Sequence, residues 1–270
     1  MRNLAIVLLL PALSAAQPPA RPETQEAAKL SEEIEQSVRW YDVLPEDGAA
    51  PLTPVPVIRW RNVTRGQEGE AMMVVWPRNG RPVAMASIFP WGAAMTHEFD
   101  SLSRESKLVA REDGRVIWSP KAAGVEFKEV PNAPKPAKSP AERLRQMKAI
   151  AAEFKATMTG WAGDNSDREE LRLLPRPLYR YDLTGAKAPQ PPLVDGGLFA
   201  YVMGTDPEVV LALEAVGTAD RADWQYALVR ATSGGLEVKL GDRVVWTAPK
   251  HPADRVPTLP HFSMRRPLQK

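Results

Sequence analysis

His97-Glu98-Phe99-Asp100-Ser101 is the densest group of chemically competent side chains in the sequence. A histidine, a carboxylate and a serine together can run nucleophilic catalysis with an adjacent general base. On a strand, however, side chains alternate, so His97 and Ser101 share one face while Asp100 points to the other. Triads are also built from distant segments, and no Gly-x-Ser-x-Gly elbow is present. Ser233-Gly234-Gly235 reads as a hairpin turn rather than the opening of a helix. His97 is therefore read as a structural histidine at a strand start, and no catalytic residue is assigned. A hydrolase using His97, Glu98, Asp100 and Ser101 is kept as the alternative.

Metal and cofactor chemistry find no pattern. His251 and His261 lie in a proline-rich tail, and neither His-x-x-x-His nor His-Glu-x-x-His occurs. Residues 163–167, Gly-Asp-Asn-Ser-Asp, lack the alternating ligands and closing glutamate of a calcium loop. No phosphate-cradling glycine loop is present, and Glu208 and Glu214 have no acidic counterparts that would mark a catalytic pair. No metal and no cofactor are expected.

The eight tryptophans divide in two. Trp118 and Trp246 end equivalent strands and read as core, as does Trp60. Trp76 and Trp91 have no aromatic counterparts, so with His97 they are candidates for the mouth of a ligand site.

The elements that must position these residues are written twice. Asp113-Gly114-Arg115-Val116-Ile117-Trp118-Ser119 recurs as Gly241-Asp242-Arg243-Val244-Val245-Trp246-Thr247. Upstream, Leu108 and Ala110 fall on Leu236 and Val238, and His97-Glu98-Phe99 falls on Trp224-Gln225-Tyr226. The 72–88 hairpin falls on 199–214, and each copy is preceded by a helical pattern. Such internal periodicity decides architecture before any motif does. Ala27, Leu30, Ile34, Val38 and Tyr41 put one apolar face on a first helix over 24–41. Strands are expected near 55–62, 70–77, 82–90, 97–103, 107–112 and 115–119, with Asn79-Gly80 and Asp113-Gly114 as hairpin turns. Residues 131–139 form a proline-rich linker. Ser139-Pro140-Ala141-Glu142 then opens a second helix. Leu144, Met147, Phe154, Met158 and Trp161 continue at helical spacing, so this helix is expected to run to Gly160. A second strand region follows near 171–182, 197–204, 208–216, 224–231, 236–240 and 243–248. The domain reading is a first module over 24–130, a second over 140–249 and an irregular tail over 250–270.

Arg2, the apolar run Leu4–Leu10 and Ser14-Ala15-Ala16 have the form of a secretory signal peptide over 1–16, with a flexible lead-in over 17–23. An exported, periplasmic or extracellular protein is expected. The absence of cysteine excludes disulfides and thiolate chemistry. With 35 basic and 33 acidic residues and no basic run, nucleic-acid binding is not expected. No stretch is apolar for long enough to make a transmembrane helix.

Leu174-Pro175-Arg176-Pro177-Leu178-Tyr179-Arg180-Tyr181, Asp195-Gly196-Gly197-Leu198-Phe199-Ala200-Tyr201-Val202 and Gly204-Thr205-Asp206-Pro207-Glu208 resemble strings in exported proteins of planctomycete-type bacteria. Gly80-Arg81-Pro82-Val83-Ala84 and His97–Leu102 are similar to theirs as well. The resemblance implies export and brings no activity or functional residue with it.

These observations predict an α+β protein: two tandem copies of one helix plus an antiparallel meander of about six strands, curled as half-barrels. The expected function is non-catalytic binding or interaction. The ligand would be an apolar small molecule or lipid held between sheet and helix or between the copies, or else an envelope protein. Met147, Phe154 and Met158 are candidate lid residues, since methionines adapt to varied apolar ligands. A structural envelope scaffold is a further alternative.

Overall fold

The computed structural model describes residues 25–45, 49–61, 69–105, 107–160, 167–184, 191–218, 220–251 and 256–268. The expected signal, the lead-in, Trp161 and most of the 163–167 loop lie outside the described residues.

The protein is α+β and mostly strand. The first half runs α1 (Gln25–Ser37), β1 (Asp42–Pro45), β2 (Val55–Arg61), β3 (Glu70–Arg78), β4 (Arg81–Trp91), β5 (Ala94–Ser101), β6 (Leu108–Glu112) and β7 (Arg115–Trp118). A short strand, β8 (Lys128–Glu129), precedes α2 (Pro140–Ala152). The second half continues with β9 (Phe154–Thr159), β10 (Arg168–Leu173), β11 (Tyr179–Arg180), β12 (Leu193–Met203), β13 (Asp206–Val216), β14 (Asp223–Arg230), β15 (Gly235–Leu240) and β16 (Arg243–Ala248). The chain closes with β17 (His261–Pro267).

One antiparallel pairing scheme runs through both halves. After α1, β1 pairs β6 and β6 pairs β7; after α2, β9 pairs β15 and β15 pairs β16. Between them lie β2-β3-β4-β5 in the first half and β11-β12-β13-β14 in the second. The trailing strands cross over. β8 follows the first half but adds to β14, whereas β17 follows the second half but adds to β5. In the second half β10 pairs both β9 and β12, so nine strands form one sheet that curls around α2 as a half-barrel. In the first half the β1-β6-β7 group is a separate sheet, so the curl is broken there.

Strand alternation sorts the side chains into three cores. Met72, Val74 and Trp76 of β3 pack toward α1, while Ala71, Met73 and Val75 face the other way. In the second half Val209, Leu211 and Leu213 pack toward α2, and Val210 and Ala212 face away. The two sets that face away meet in a third core. The central sheets are thus packed face to face and each is covered outside by its helix. Burial on both faces is why β3, β4, β12 and β13 read as nearly continuous apolar runs.

α2 begins where capping chemistry places it: Ser139 Oγ accepts from the Glu142 backbone N–H at 3.3 Å. The Ser139 hydroxyl also donates to the Glu142 carboxylate, at 2.7 Å. Its end differs from expectation. The helix stops at Ala152, and Phe154 and Met158 belong to β9. Phe154, Ala156 and Met158 alternate inward against outward Lys155 and half-buried Thr157, and the edges of β10 and β15 capture that pattern on both sides. Spacings of four fit a helix and a strand equally, and here pairing decides. Arg143 anchors α2 to the sheet through Asp195, at 2.8 Å. The tail also differs from expectation, because residues 261–267 are a regular strand.

Candidate functional site

Two charged groups interrupt the layer between the sheets. In one, Glu214 of β13, 0% exposed, accepts from Arg81 Nε at 2.8 Å, Arg104 Nη2 at 2.8 Å and Tyr181 O–H at 3.2 Å. A second Arg81 nitrogen closes a bidentate pair on the same carboxylate. Arg104 also lies over the Phe127 ring, 3.8 Å from its centroid. Arg81 and Arg104 come from the first half, Glu214 and Tyr181 from the second. The knot therefore ties the halves together and leaves two guanidinium groups around one carboxylate.

Above this knot opens a cleft of about 590 Å³. Arg78, Arg81, Arg104, Glu105 and Lys107 from the first half line it, with Pro191 from the second. The Asn79-Gly80 turn stands beside it on the opposing half: Gly80 has φ +78°, and a Cβ there would lie 1.7 Å from the Asp182 carbonyl oxygen.

In the same layer β5 presents Glu98 and Asp100 toward the second half. His261 Nδ1 lies 2.7 Å from Asp100 Oδ1, because β17 pairs with β5 in the register that sets His261 opposite Asp100. Ser233, on the turn between β14 and β15, has its Oγ 3.5 Å from His261 Nε2 and donates to Glu98 Oε1 at 3.3 Å. The His251 ring packs edge-on to His261 with centroids 4.7 Å apart. Burial pushes Glu98 up to about 7, held back by His261 and reinforced by Asp100. At His261 burial acts to lower the pKa, but the carboxylates of Asp100 and Glu98 outweigh it and the net shift is upward.

The sequence-predicted residues scatter. His97 and Asp100 occupy opposite faces of β5. His97 faces α1, with Tyr41 Oη 3.0 Å from its Nδ1 and the Trp40 ring stacked on it. Burial, aided by Arg266, drives its pKa down to about 3, so it stays neutral. Ser101 lies under the Gly124 loop and is separate from the Ser233 cluster. Trp76 is wholly buried and stacks on Phe99, so it builds core rather than a ligand mouth. Trp91 is 37% exposed at the β4–β5 turn. Met147, Phe154 and Met158 are buried in the α2 core, and none of them lines the clefts found among the described residues.

No family model, no curated protein and no solved structure matches this chain.

Ser233 and His261 escape a sequence reading because they meet only where the two sheets pack together, after β17 has paired with β5. Phe262 and Met264 alternate with Ser263 and Arg265, and that period of two was the available sign that the tail is a strand. Among the described residues, no group of three or more metal-binding side chains gathers, and no helix is long and apolar enough to cross a membrane.

Proposed function

We propose that this chain is an exported binding protein, descended from a duplicated helix-plus-sheet unit, that takes a small anionic ligand in the cationic cleft built mainly from its first half. The cleft lining carries the reading: Arg78, Arg81, Arg104 and Lys107 face Glu105, and two of those cations share the single buried Glu214. Its volume is that of a small-molecule site. The bidentate Arg81–Glu214 pair and the Phe127 ring under Arg104 hold the guanidinium groups in place before any ligand arrives, which reduces the ordering cost of binding. An apolar ligand between sheet and helix is not favoured, because the inner face of α2 is closed by Met147, Ile150 and Ala151 in the core. Export is supported by the residue pattern over 1–16, and duplication by the matched pairing scheme of the two halves.

Calorimetric titration with inorganic phosphate and with a dicarboxylate such as malonate tests the cleft. Binding is expected to weaken at least tenfold in a variant carrying Arg78→Glu and Lys107→Glu, both on exposed positions. Absence of binding at millimolar anion, or equal binding by that variant, would overturn the reading. N-terminal mass analysis of secreted material should begin at Gln17.

A further inference from the structure

Asp100, His261 and Ser233 stand in the order carboxylate, imidazole, hydroxyl, and they come from β5, β17 and the β14–β15 turn. We infer that Ser233 is an activated nucleophile for acyl transfer from small esters, with His261 as its general base and Asp100 as a positioning residue. This site shares none of the residues that line the cationic cleft and does not depend on it.

The geometry assigns the roles. Asp100 Oδ1, 2.7 Å away, accepts the Nδ1 proton of His261, so the neutral ring directs its Nε2 lone pair toward Ser233 Oγ at 3.5 Å. That separation is at the long limit, and such contacts tighten when substrate closes the site. The ring cannot drift, because β17 is in ladder register with β5 and the Ser101 N–H donates to the Pro260 carbonyl at 2.9 Å. The serine turn is equally fixed. His251 N–H donates to the Ser233 carbonyl at 2.8 Å, and a Cβ on Gly234 or Gly235 would lie 2.9 Å from Met158 Sδ or 2.5 Å from Thr159 Oγ1. Asp100, His261 and Glu98 are buried while Ser233 is half-buried, so the nucleophile is the most exposed member of the cluster. A tie that merely fastened β17 would need Asp100 and His261 alone. It would not require a hydroxyl on the free nitrogen.

In the reaction, Ser233 Oγ bonds to the ester carbonyl carbon as its proton passes to His261 Nε2. The bond from that carbon to the alcohol oxygen breaks, and the alcohol leaves with the proton from Nε2. Water then attacks the acyl carbon, loses its proton to the same nitrogen and releases the acid, and Ser233 regains its hydrogen. His261 works in the field of Asp100 and Glu98, with Arg230 opposing them and the His251 ring alongside. Ionised Glu98 competes for the serine proton, so its protonated form, populated near neutral pH, favours the His261 route.

The test is covalent labelling of the folded protein with a fluorophosphonate, read by peptide mass mapping, alongside hydrolysis of p-nitrophenyl acetate. Wild-type protein is expected to be labelled at Ser233 and to hydrolyse the ester, with both lost in Ser233→Ala at unchanged Tm. Asp100→Asn is expected to lower the rate plateau and to move the midpoint of its pH profile downward, because the imidazole loses the carboxylate that raises its basicity. A wild-type protein left unlabelled, a label on another residue, or a Ser233→Ala variant hydrolysing at the wild-type rate would each overturn the proposal. Anion binding in the cleft is expected to be the same in wild type and Ser233→Ala, so failure here is distinguishable from failure there.

Discussion

Ile117 and Val245 hold the same place in two different hairpins. Each is the residue skipped where the ladder shifts register: Ala110 pairs Trp118 and Arg111 pairs Val116, just as Val238 pairs Trp246 and Lys239 pairs Val244. A bulge is a specific local solution that re-aims a strand, and finding it at matched positions shows that the two halves turn their last hairpins alike. The inner rings repeat as well. Tyr41 meets Phe99 and Phe154 meets Tyr226, both edge to face with centroids 5.0 Å apart.

Those ring pairs should be similarly expensive to remove. Phe99→Ala and Phe154→Ala are each expected to destabilise by about 3–5 kcal/mol, the usual range for a buried phenylalanine. Urea unfolding would check this, and a cost under about 1 kcal/mol at either site would show that the ring is not part of a closed core.

Glu214 should be intolerant of neutralisation. Glu214→Gln leaves Arg81 and Arg104 buried or half-buried without their shared counter-charge. Breaking a buried pair from one side costs about 3–5 kcal/mol. Thermal melts should show a fall of many degrees, whereas Lys135→Ala, which removes an exposed pair with Asp223, should stay within about 1 kcal/mol.

Glu98 gives the molecule a pH-dependent weakness. Its folded pKa of about 7 exceeds the ordinary 4.5, so the unfolded chain sheds that proton first and stability falls as pH rises between those values. His261, raised above 6.5, contributes stability at lower pH that is lost as pH climbs through its folded value. His97 acts in the opposite sense, losing stability as pH falls from 6.5 toward 3. The comparison between wild type and Glu98→Gln removes the His97 term and leaves Glu98 together with its coupling to His261. The variant should gain on the wild type progressively from pH 5 to pH 7, by about 1–3 kcal/mol, and the gap should then level off. A constant difference across that range would contradict a buried, proton-holding Glu98.

Loss of β17 should reach well beyond the tail. A chain ended at Pro260 uncovers the edge of β5 and removes the imidazole from buried Asp100. An unpaired edge with apolar neighbours invites association. Size-exclusion chromatography should show higher-order species, and a monomer with wild-type Tm would contradict the strand's role.

Gly80 should not accept a side chain. It lies at φ +78° with the Asp182 carbonyl oxygen where a Cβ would go, so Gly80→Ala must shift the hairpin against the other half. The expected loss is at least about 1–3 kcal/mol. Gly114, at the same φ but with nothing within 4 Å of its Cβ position, should lose less on the same change.

Much of the α+β architecture follows from the residues themselves. Alternating runs bounded by Asn79-Gly80 and Asp113-Gly114 place the hairpins, and the recurrence at 113–119 and 241–247 places their partners. Ser139 and Pro140 mark where α2 begins. These signals are local, because turn geometry, capping and period-two burial each act within a few residues. Other features depended on which surfaces meet. Phe154 and Met158 carry spacing that suits either a helix or a strand, and only the edges of β10 and β15 make them strand. Glu98 and Asp100 stand out in their own segment, but Ser233 and His261 do not, and nothing local joins the two pairs. They become a cluster because β17 crosses from the end of the second half to the edge of the first. The amino-acid sequence by itself determined most hairpins, the start of α2 and the alternating inner faces of the central strands. Tertiary structure alone decided which polar groups share the dry layer between the sheets, since strand partners far apart in the chain are chosen by edge pairing and face-to-face packing rather than by local propensity.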